Sequence, residues 1–168
     1  MAGKVIGKTL PVGFRGSVTR TPDTVISTFC NVGDDPIQFG EPIVFDAAKK
    51  GVRKIKSTDT TAAGLIGIAV RRIGQPYSDD ADGWYYKKGD TVDVLLRGSI
   101  AVEVAVTTGI AARGAVYVCN GAGSNENAGD IVCATAEAGH VKLPDTVFTT
   151  GIFDNDKIAE ITILSRSF

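Results

Sequence analysis

His140 is the only imidazole in the chain, and Cys30, Cys119 and Cys133 are its only thiols. A nucleophile and its base must come within hydrogen-bond reach, and such partners meet in space without being close in sequence. The catalytic reading would pair His140 with Cys133 or with a distant aspartate. Its setting, Glu137-Ala138-Gly139-His140-Val141-Lys142, is turn-like and holds no metal-ligand partner at a characteristic spacing, so a surface histidine is the simpler account. The cysteines are odd in number and widely spaced, which argues against a disulfide framework and against a zinc finger. They read as reduced residues of a protein folded in a cytoplasm.

Carboxylates and loop amides give no firmer site. Asp79, Asp80 and Asp82 lack the ligand spacing and closing glutamate of a calcium loop. The small-residue loop Gly121 to Gly129 could form an anion nest. It lacks the lysine and hydroxyl residue of a phosphate-binding loop, and a strand follows where a helix is required. Nineteen acidic residues contain no pair that their order singles out. No catalytic residue, metal ligand or cofactor is therefore assigned, and the chain is expected not to be an enzyme.

Surfaces are the better prospect. Eighteen basic side chains against nineteen acidic ones give a net charge of -1, so no global field draws nucleic acid or anionic lipid. Arg53-Lys54-Ile55-Lys56 and Arg71-Arg72 are too few charges for a phosphate track and read as solvated edge charges or donors to a neighbouring protein. Trp84-Tyr85-Tyr86 follows a long polar connection from Gln75. It could bury at an interface, stack on sugar rings beside the aspartates, or cover one end of the fold. No apolar run approaches the roughly 20 residues needed to cross a bilayer as a helix, and no signal-like start is visible.

The elements that position these residues read as strands. A glycine turn opening a β-branched run recurs at Phe39–Phe45, Lys88–Leu95 and Arg113–Val118. Further strands are expected at Thr24–Cys30, Gly51–Ile55, Ile131–Ala134, Thr146–Thr149 and Ile158–Leu164. In Leu65–Val70 the apolar residues follow neither period, and Gly64 and Gly67 argue against a helix, so a buried strand is placed there. Apolar residues at 92, 94 and 96, then at 100, 102, 104 and 106, flank Arg97-Gly98-Ser99 and predict a hairpin turning at that tripeptide. A short helix is allowed only around Thr60 to Ala63. The expected fold is all-β, an antiparallel jelly-roll-like sandwich or small β-barrel with an extended N-terminal arm. Residues 1–22 form the arm or a weak first strand, and residues 23–168 a single β-domain.

The order of these modules resembles the structural cement, or capsid decoration, proteins of tailed bacteriophages. The likeness is carried by Pro11-Val12-Gly13-Phe14-Arg15-Gly16, Thr24-Val25-Ile26-Ser27, Gln38-Phe39-Gly40-Glu41-Pro42-Ile43-Val44, Gly67-Ile68-Ala69-Val70, Tyr86-Lys87-Lys88-Gly89-Asp90-Thr91-Val92-Asp93-Val94, Arg97-Gly98-Ser99-Ile100-Ala101-Val102-Glu103-Val104 and Gly114-Ala115-Val116-Tyr117-Val118. It implies a protein made in the bacterial host cytoplasm that sits on the outer surface of the capsid in the virion. There it would bridge neighbouring copies of the major capsid protein as a homotrimer or homodimer, with no direct contact to nucleic acid and none to membrane. The arm, the Gln75–Tyr86 loop and the Gly121–Asn127 tip become the expected contacts with capsid or sister subunits. Phe14 and Arg15 form one apolar anchor with a charged rim, Trp84 and Tyr85 another, and Asn125 marks the tip. A carbohydrate-binding β-domain, with the aromatic trio as platform, is the alternative.

Overall fold

The computed structural model describes residues 13–72, 85–105, 108–122, 126–133 and 138–165. The chain runs through β1 (Val18–Cys30), β2 (Ile37–Gln38), β3 (Pro42–Asp46), β4 (Gly51–Lys54), β5 (Leu65–Ala69), β6 (Tyr85–Tyr86), β7 (Thr91–Glu103), β8 (Ala115–Cys119), β9 (Ile131–Cys133), β10 (His140–Phe153) and β11 (Ile158–Ile163). Among the described residues there is no helix, and the Thr60–Ala63 stretch is bends and turn. The three glycine modules open β3, β7 and β8, as expected. β1 begins at Val18, inside the stretch read as arm or weak first strand, while residues 1–12 lie outside the described residues.

The strands form an antiparallel, sandwich-like arrangement of the jelly-roll type. In the main sheet the order is β4-β3-β5-β7-β11-β10-β8-β9, with β1 also on β7, and β2 and β6 make a separate small pair. The sheet curls back on itself at both ends. Asn31, just past β1, bridges Val52 of β4, and Val104, just past β7, bridges Ile131 of β9. Each curl therefore closes a ring of strands through β7, which belongs to both. Closure leaves few open edges, the feature that otherwise invites unwanted pairing.

β7 is where sequence and structure part. Arg97-Gly98-Ser99 is not a hairpin turn: β7 runs through it, pairing with β5 at Val94 and Leu95 and with β11 from Gly98 to Glu103. The apolar alternation hides a change of face. Val92, Val94 and Leu96 pack in one core with Ile37, Ile43, Val52, Ile66 and Tyr86, whereas Ile100, Val102 and Val104 pack in the other with Val118, Phe148 and Ile161. Even-numbered residues thus point into different cores on either side of Gly98. Its φ of +125° is the left-handed conformation that lets a strand swap faces there without reversing direction. The pairing of β1 with β7 shifts register at the same place, between Arg20↔Ser99 and Val25↔Arg97.

β5 is buried at all five positions, as its apolar composition demands. It lies so close to β7 that a Cβ on Gly67 would stand 2.1 Å from the Leu95 carbonyl oxygen. Glycine is required there by space, with no unusual φ.

Candidate functional site

Phe14 is the most exposed large apolar side chain among the described residues, at 69 %. It is not loosely held. Ser17 N–H donates to the Phe14 carbonyl across a four-residue turn, with Gly16 at φ +78°. Gly16 N–H donates to Ala101 O at 2.7 Å, its carbonyl accepts from Arg71 N at 2.7 Å, and Ala101 N–H returns a bond to Ser17 O at 2.9 Å. A Cβ at position 16 would lie 2.9 Å from both Arg71 N and Phe39 Cβ, so only glycine lets the turn seat this closely. The Arg71 guanidinium stacks over the Phe14 ring, 4.5 Å from its centroid, which orients the ring and places a cation on one face.

Arg15, on the same turn, pairs with Glu103 at 3.1 Å. It borders a cleft of about 460 Å³ with Glu41, Lys54, Glu103 and Asp130. Lys54 pairs with Glu41 at 2.8 Å, so the charges around this cleft largely satisfy one another. Burial pushes the Glu41 carboxyl up, against the pull of Lys54.

Tyr85 and Tyr86 have separate roles. Tyr86 is fully buried, edge-on to Phe39 at 5.1 Å, and donates its hydroxyl to Val70 O at 2.5 Å. Burial, then the charge of Asp93, pushes its phenol up to about 12. Tyr85 pairs with Gln38 in the small sheet, is half-buried, and lies 5.8 Å from Lys87 Nζ. The aromatic trio is therefore no continuous stacking platform, because one of its rings belongs to the core. Trp84 and Asn125 lie outside the described residues, as does the aspartate loop. Phe14 and Arg15 share one turn, which packs on Phe39, Gly40 and Arg71, while Tyr85 pairs with Gln38 on the small sheet.

Two features escaped the sequence. Ile152 and Phe153, at the end of β10, are 65 % and 40 % exposed and form a second apolar surface. The expected strand stops at Thr149, and no signal marked that β10 runs on to Phe153 and outruns the core. Of the basic runs, Lys56 and Arg72 are exposed, as the solvated reading has it, but the other cations turn to partners within the chain. Arg53 instead clamps Asp59 through two bonds of 2.6 and 2.8 Å, Lys54 holds Glu41, and Arg71 covers Phe14.

His140 is not a surface histidine. It opens β10 opposite Cys119, its side chain is 4 % exposed, and Nε2 lies 3.6 Å from Glu126 Oε2. The strand pairing draws the ring inward, which the glycine-containing sequence around it concealed. That separation is longer than a hydrogen bond.

Comparison with known proteins fits this surface-dominated chain. A family model described as "Structural cement protein (E217 gp24/Pam3 gp6)" matches residues 3–164. The chain belongs to this family of phage structural, capsid-associated proteins, and it is a non-enzymatic component of a phage virion. Among solved structures it is similar to a chain of "The capsid of Myoviridae Phage XM1", with a TM-score of 0.70 and 18 % identity, covering 99 % of this chain and 100 % of the other. At that identity the likeness shows a common fold. No curated protein sequence matches the chain.

Proposed function

We propose that this protein binds the outer surface of a phage head and bridges neighbouring major capsid subunits, stabilising the expanded shell. The observation that carries this reading is the Phe14 turn: an exposed aromatic held on a backbone fixed by β7 and by the end of β5. A preformed anchor loses little conformational freedom on docking, and an aromatic beside an arginine is the residue pair that interface energies favour. Tyr85, Trp84 and Asn125 extend the proposed contact set. The energetic logic is linkage, since a ligand of the assembled shell that ignores separated subunits lowers the free energy of assembly. Copies arrayed by shell symmetry multiply modest contacts through high effective concentration.

The test is to add purified Phe14→Asp protein to expanded heads lacking decoration and to count bound copies by gel densitometry. Wild type is expected to saturate the heads. The variant should bind at least about 30-fold more weakly, the loss of roughly 2 kcal/mol or more that marks an interface anchor, with its own melting temperature nearly unchanged. Equal occupancy by variant and wild type would remove the Phe14 turn from the contact.

A further inference from the structure

Cys119 closes β8, His140 opens β10 directly opposite it, and Glu126 returns from the β8–β9 connection to the same place. Each offers one ligand atom, a thiol sulfur, an imidazole nitrogen and a carboxylate oxygen, and these atoms all lie within 4.8 Å of one another. The Glu126 Oε2 to His140 Nε2 separation of 3.6 Å is close to the edge that bonds of about 2.0–2.2 Å to one tetrahedral ion would span. We propose that Cys119, Glu126 and His140 form a binding site for a divalent transition-metal ion of the zinc type.

The chemistry of the set selects the ion. One soft sulfur, one imidazole and one carboxylate suit zinc or cobalt, and are a poor match for calcium or magnesium, which take oxygen ligands only. The sulfur is held in place: Gly121 N–H points at Cys119 Sγ at 3.3 Å, and the thiol reaches Glu126 O at 3.7 Å. The ligands are held from behind. Cys119 exchanges backbone bonds with the return of the connection, its N–H donating to Asp130 O and its carbonyl accepting from Gly129 N, both at 2.8 Å. Asn120 N–H donates to Gly139 O at 2.8 Å, while its side-chain amide reaches Asp59 O at 3.0 Å. A cleft of about 610 Å³ bordered by Ser57, Asn120 and Gly121 reaches one of the three ligands, Glu126. The sequence spacing of seven and fourteen residues matches no metal motif, which is why the pattern was illegible there.

Bound metal would join the end of β8 and the start of β10 to Glu126 through one ion. The experiment titrates Zn²⁺ alone into the chelator-stripped full chain by calorimetry, then repeats the titration with Co²⁺ and reads its absorption. One ion per chain is expected, with a thiolate-to-cobalt charge-transfer band that persists in Cys30→Ser, whose exposed thiol is a control. Cys119→Ser should abolish the band. Glu126→Gln changes a more exposed side chain and should leave the fold intact. It is expected to weaken Zn²⁺ by at least the roughly 10–100-fold that losing even a supporting partner costs at metal sites. Absence of stoichiometric Zn²⁺ binding by wild type, a band retained in Cys119→Ser, or unchanged affinity in Glu126→Gln would each overturn the assignment.

Discussion

Glu160 is a carboxylate only 8 % exposed on a central strand, and it stays ionised because of what surrounds it. Arg20 grips both of its oxygens, at 2.8 and 3.0 Å, and Thr19 donates a third bond at 2.5 Å. Burial pushes its carboxyl up, but the Arg20 and Thr19 bonds outweigh that and hold it below the usual range. The Arg53 bonds hold Asp59 low as well, against burial. A carboxyl whose folded pKa is depressed contributes stability above its unfolded pKa, near 4, and loses it as pH falls through the folded value. Glu41, pushed up by burial, works the opposite way, favouring the fold on the acid side and losing that contribution as pH rises through its folded value. Thermal melts between about pH 7 and 2 should therefore show the wild type losing stability below roughly pH 4, with the gap to Glu160→Gln narrowing as pH falls. A constant gap would mean that the Arg20 pairing does not depend on the Glu160 charge. Asp59→Asn should cost about 1.5–3 kcal/mol at neutral pH in urea melts, as expected for lost bonds to a charged group. Little of this was legible beforehand: Glu160 sits 140 residues from Arg20, and only strand pairing shows that they meet.

At the level of elements the sequence was most readable where one period held over a whole strand. β3, β8 and β11 fell near their expected places because a turn signal and a β-branched run coincide there. It misled at β7, because a glycine between two alternating runs is equally the mark of a hairpin and of a strand that changes face. The length of β10 was invisible for a related reason: it shifts register against β11 between Phe148 and Phe153 and against β8 between Lys142 and Val147, so no single alternation spans it. The face change in β7 makes a sharp prediction. Gly98→Ala would force a side chain into a φ of +125°, with its Cβ 3.3 Å from the Thr24 Cα. The expected loss is about 1–3 kcal/mol by chemical denaturation, the cost of one residue held in a sparsely populated conformation. A neutral outcome would show that the strand bends without needing glycine at this position.

For the molecule as a whole, the order of modules spoke more clearly than any residue, and it pointed to the cement family that the match over residues 3–164 establishes. Residue-level contacts were less legible, because exposure of Phe14 and burial of Tyr86 are set by distant packing partners. The proposed bridging role predicts a closed assembly in solution. Light scattering coupled to size exclusion should return a dimer or trimer mass that holds across a dilution series, since closed oligomers carry rotational symmetry. A monomer mass at every concentration would confine assembly to the shell surface. The sharing of β7 by both curls also sets an order of folding. Every strand of the first ring, β1, β3, β4, β5 and β7, lies within residues 18–103, so that ring has all its partners once this stretch has left the ribosome. The second ring can only be built onto β7 afterwards, as β8 to β11 emerge, because those strands follow β7 in the chain. Until then the half of β7 from Gly98 to Glu103 waits without β11, and a nascent chain stalled between residues 104 and 157 would present that half-strand as a template for another chain.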